Sequence, residues 1–119
     1  MTAGAGMPEG VAHDGEMERL KRAVVGSEAA IELLRFFEGN RYAMLSLDDL
    51  SGRLLRDPDV IRACVDTLLR LGFLSAQGKT PVIILTRDAA LLHAVEQLTR
   101  LAQTPDGRAE LLSGKRKGV

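Results

Sequence analysis

The stretch DPDVIRACVDTLLRLGFL, from Asp57 to Leu74, constrains this chain more than any other. It opens on Asp57-Pro58. An Asp at the N-cap accepts a bond from an orphan amide, and proline is tolerated at the first helical position, where its missing N–H costs nothing. Apolar side chains then recur at Ile61, Cys64, Val65, Leu68 and Leu69. This is the i, i+3, i+4, i+7, i+8 spacing of a helix with one buried stripe. Gly72 ends the helix, and Phe73-Leu74 continue as an apolar extended pair.

The flanking segments can be read by the same rules. Met1 to about Gly15 is Gly- and Ala-rich with little to bury, which predicts a disordered leader. From Glu16, the residues Met17, Leu20 and Val24 fall at helical spacing, and Gly26-Ser27 interrupts them. Ser27 is a good N-cap for SEAAIELLRFFEG, the most apolar helix, with Ala30, Ile31, Leu34 and Phe37 on one face and Gly39-Asn40 as its stop. That helix is expected at the centre of the core. Arg41 to Leu45 reads as a connector with an apolar edge, or a brief strand. Ser46 to Asp49 then resembles a capping box, opening a short helix with Leu47, Leu50 and Leu54 on one face. Beyond Gly72, Phe73–Ala76 and Val82–Leu85 read as two strands joined by turn chemistry at Gln77 to Thr80. Asp88 starts a last long helix through Leu91, Val95, Leu98 and Ala102, which Thr104-Pro105 ends. Asp106 to Leu112 adds at most a helical turn. The expected organisation is a leader over 1–15, one domain over 16–112 and a basic tail over 113–119 around Lys115, Arg116 and Lys117.

Composition narrows the function classes. With 119 residues the chain suits one domain with a real core. Its 16 basic and 16 acidic residues cancel, so there is no global positive field, and a nucleic-acid site would have to be a local patch. One cysteine excludes an intramolecular disulfide and all-cysteine metal sites. No apolar run approaches the roughly 20 residues of a membrane span, and the N-terminus has no secretory pattern, so a cytoplasmic protein without a membrane partner is expected.

The order of elements, a short capped helix, a tight turn, a longer capped helix and a hairpin, is that of a helix-turn-helix followed by a wing. The residues SLDDLSGRLLRDPDVIRACVDTLLRLGFLSAQGKTPVIILT resemble the winged helix-turn-helix of bacterial transcription regulators. The likeness covers roughly Ser27 to Gln103, and Leu68 to Leu74 and Ile84 to Asp88 are its most family-like runs. It implies a mainly α fold with a small β-hairpin (α+β) and flanking N- and C-terminal helices. It further implies double-stranded DNA as partner, helix 58–71 as the recognition helix in the major groove and 77–80 as the wing on the backbone.

The residues themselves divide on that implication. The face opposite Ile61, Val65 and Leu68 carries Arg62 and Arg70, with Thr67 at its margin; Arg62 is the best base-reading candidate, since a guanidinium bonds guanine bidentately. Arg53, Arg56, Arg41, Lys79 and Arg87 would supply phosphate contacts. Asp57, Asp59 and Asp66 occupy or flank the same surface, and a carboxylate facing phosphate opposes the counterion release that drives such binding. The alternative is a winged-helix module that docks another protein without binding DNA.

The remaining candidates have simpler readings. Cys64 lies on the apolar stripe and is expected to be a buried structural thiol. His93 falls off the core face of the last helix, and His13 lies in the leader; no metal site, cofactor or catalytic constellation is evident, so no enzymatic activity is expected. Leu92 and Leu101 widen the apolar arc of the last helix beyond one packing stripe. With Leu20 they form a candidate homodimer interface, unless both terminal helices simply fold back on the core.

Overall fold

Helix after helix begins at a side chain that closes its own first turn. The computed structural model describes residues 15–114. It places α1 over residues 15–24, α2 over Glu28–Gly39, α3 over Leu47–Leu54 and α4 over Pro58–Leu71. The strands β1 and β2 span Leu74–Gln77 and Val82–Leu85, and α5 and α6 span Ala89–Leu101 and Pro105–Ser113. The Ser27 hydroxyl accepts from the Ala30 amide, Ser46 from Asp49, the Asp57 carboxylate from Asp59, Asp88 from Ala90 and Leu91, and Thr104 from Gly107. Each bond satisfies a donor that the helix itself leaves open.

The domain is mostly helical with one two-stranded antiparallel hairpin, an α+β architecture. Pairing runs Leu74 to Leu85, Ser75 to Ile84, Ala76 to Ile83 and Gln77 to Val82. The first strand is therefore one residue later than the sequence predicts. Phe73 is occupied in closing α4, its amide donating to Leu68 O at 3.0 Å, while Gln77 stays in the ladder and leaves 78–81 as the turn. The connector before α3 contributes a single antiparallel bridge, with Leu45 and Ile83 exchanging amide bonds of 3.3 and 2.7 Å.

Helix α2 is central, as its composition requires. Its Ile31, Leu33, Leu34 and Phe37 pack with Ile61, Val65 and Leu68 of α4, Val95 and Leu98 of α5, and Phe73, Ile83 and Leu85 around the hairpin. All are essentially inaccessible, and each such side chain contributes on the order of 1.5–3 kcal/mol. The terminal helices close on this core. Leu20 and Val24 of α1 are fully buried in it, Leu111 of α6 joins them, and the Gly26 amide donates to Leu112 O at 2.9 Å. The expected extra turn after Pro105 is thus a helix with a buried side chain. Gly107 is required there because a Cβ would meet Leu101 O at 2.1 Å. The expected leader, apart from residue 15 (which opens α1), and the Lys115–Lys117 cluster lie outside the described residues.

Candidate interaction surface

Helix α4 divides lengthwise. Ile61, Val65 and Leu68 are buried, whereas Asp59, Arg62, Ala63, Asp66 and Arg70 are exposed, so the hydrophobic stripe alone determines which residues the helix presents. Helix α3 lies against it on one side, and the hairpin follows from its end. Thr67 is turned to its own backbone, its hydroxyl donating to Ala63 O at 3.1 Å, and Arg70 reaches that hydroxyl at 3.5 Å.

The cations named from the sequence fall into two groups. Arg56 is committed: its Nε and terminal nitrogen bond the two carboxylate oxygens of Glu32 at 3.0 and 2.8 Å, the bidentate geometry that guanidinium and carboxylate favour. The bond from Arg56 holds the Glu32 carboxyl below the ordinary range despite the opposing effect of burial, and Glu32 in turn raises the Arg56 guanidinium. Arg41 is committed too, to Glu96 at 2.5 Å and Glu38 at 3.2 Å, which raise its guanidinium in that order. These two arginines bind the fold together. The others stay outward: Arg53 lies 6.0 Å from the Phe36 ring centroid and Arg87 5.0 Å from that of Tyr42. Among the described residues, Arg62 and Lys79 form no ion pair. Asp48, Asp49, Asp57, Asp59 and Asp66 are exposed on the same two helices, so the surface is mixed in sign.

Elsewhere the candidates divide differently. Leu20 is wholly inside the core, while Leu92 and Leu101 are half-buried against it. The apolar excess of α5 is thus largely taken up by packing within the chain. Cys64 is half-buried rather than buried, its Sγ 3.6 Å from the Ser27 hydroxyl. His93 is exposed, as expected of its place off the core face, with Nδ1 3.9 Å from Glu96. Among the described residues no group of three or more His, Cys, Asp or Glu is placed to hold a metal, and no helix is long and apolar enough to cross a membrane.

Two residues escape sequence reasoning. Glu32 reads as an outward charge of α2 but anchors Arg56. Leu55 reads as part of a tight turn, yet it adopts the left-handed conformation with φ 55° and ψ 46° and is 90% exposed. The signal for Leu55 is its register, since the stripe of α3 runs through Leu47, Leu50 and Leu54 and leaves it outside. Fold and surface together define a small helical domain with an antiparallel hairpin that presents one helix face. Comparison with protein-family models, curated proteins and solved structures gave no match.

Proposed function

We propose that this domain is a winged helix-turn-helix that binds duplex DNA as a transcription regulator, with α4 in the major groove and the 78–81 turn against the backbone. The observation that carries the reading is the separation of the cations. Arg41 and Arg56 are consumed by internal carboxylates, whereas Arg62 and Lys79, on the presented helix and the hairpin tip, have no ion-pair partner among the described residues. The single bridge at Leu45 supports it by laying the connector beside β2, where a winged sheet has its third strand. The exposed carboxylates of α4 make affinity for arbitrary sequence low and place the burden on Arg62 as the base-reading group.

The test is an anisotropy titration of a mixed duplex pool across salt concentrations. If Arg53, Arg70, Lys79 and Arg87 each neutralise one phosphate, log K should fall against log salt with a slope of about −3 to −4. Replacing Arg62 with alanine should cost about 1–3 kcal/mol on a selected site and relax its sequence preference. Absence of salt-dependent binding at low salt removes the reading.

A further inference from the structure

The turn between α3 and α4 has two features that neither the core nor the proposed DNA contact uses. Leu55 adopts a left-handed backbone, which favours glycine, and exposes 90% of its surface. Val60, in the first turn of α4, is 44% exposed, and Pro58 between them is exposed as well. Single exposed apolar residues are ordinary, but one that is also strained at the backbone points to a role outside folding. The turn is not loose. The Arg56 amide donates to Ser51 O at 3.1 Å and its guanidinium is forked onto Glu32, so Leu55 is held in one position. Within these six residues the balance of charge is negative, since Asp57 and Asp59 are exposed while Glu32 answers the charge of Arg56; the exposed Arg53 and Arg62 lie just outside them.

We propose that the Leu55–Val60 turn is a docking surface for a protein segment that covers Leu55 and Val60 with apolar side chains and meets Asp57 and Asp59 with flanking Lys or Arg. Charge complementarity selects this occupant. A nucleic-acid backbone or an anionic membrane would bring its phosphates against the two carboxylates. A second copy joined here by a two-fold axis would place Asp57 and Asp59 against themselves. The proposal does not depend on DNA binding. Because it uses the start of α4, a docked partner and a duplex would exclude one another.

The test is selection of a random dodecapeptide display library on the immobilised full chain, with enriched peptides then titrated against the wild type, Leu55→Gly and Asp59→Lys. The expected result is enrichment of aliphatic or aromatic residues flanked by Lys or Arg, with binding weakened about tenfold or more in both variants. Leu55→Gly should melt no earlier than the wild type, which separates loss of contact from loss of fold. Three results overturn the proposal: no enrichment, enriched peptides without basic residues, or peptides that bind Leu55→Gly as well as the wild type. A duplex whose affinity falls tenfold in Leu55→Gly would also overturn it, by assigning the turn to the DNA surface.

Discussion

Helices α3 and α4 end in the same way with opposite materials. In each, a left-handed residue follows the last turn, and the amide after it returns to the carbonyl five residues back: Arg56 to Ser51 at 3.1 Å, and Phe73 to Leu68 at 3.0 Å. At the end of α4 the left-handed residue is Gly72, with φ 88°, and Phe73 behind it is fully buried. Backbone, residue type and packing agree there. At the end of α3 the left-handed residue is Leu55, and the position of Phe73 is taken by Arg56, fixed by an ion pair instead of by the core. The first closure is built for stability. The second keeps the geometry with a residue that folding alone would replace, which is the pattern expected where a surface is retained for contact.

Four substitutions separate the two closures. The largest effect is expected from Phe73→Ala. Phe73 is wholly inside the core, so the change removes its transfer energy and leaves a cavity, destabilising by about 3–5 kcal/mol in a denaturant titration. Loss of under 1 kcal/mol would mean the end of α4 is not a core element. Gly72→Ala comes next. A Cβ there would meet Leu91 Cδ1 at 3.5 Å, an ordinary contact, so the cost is backbone strain alone, about 1–2 kcal/mol. Leu55→Gly should go the other way. It relieves a similar strain and gives back part of the gain through the freer unfolded chain, leaving a net stabilisation of about 0.5–1 kcal/mol. A destabilised Leu55→Gly protein would show that the exposed leucine serves the fold after all.

The contrast also shows what can be read from sequence. The α4 closure was legible because every local signal agrees: Asp57-Pro58 at the start, five apolar positions in register, glycine then phenylalanine at the end. The hairpin was legible within one residue, and the slip came from Phe73 being claimed by the helix end. The surface was legible only as a set of residue types. Sequence offers Arg41, Arg53, Arg56 and Arg62 alike as contacts to DNA. Only the tertiary arrangement brings Glu32 to Arg56, 24 residues apart, and Glu96 to Arg41, 55 residues apart. Leu20 shows a related limit, since an amphipathic stripe looks the same whether its own core or another copy covers it, and here its own core does.

The smallest effect, and the most specific to the α3 closure, is expected from Glu32→Gln. Glutamine keeps one acceptor for Arg56 but loses the charge and the fork. The Glu32 carboxyl is held below its ordinary value chiefly by the bond from Arg56, so between its folded and unfolded values the unfolded chain binds more protons and stability rises with pH. Its contribution is therefore fully present above about pH 4.3, the unfolded value, and fades as pH falls through the lower folded value. The difference in melting temperature between the wild type and Glu32→Gln should be small and constant near neutrality and vanish in acid. It should also shrink in high salt, because the pair is about a third exposed on both sides. Amide exchange locates the effect: the Arg56 N–H should exchange faster in the variant, while that of Phe73, closed by the core, should not change. If both accelerate equally, the ion pair stabilises the domain as a whole and has no particular hold on the turn that presents Leu55.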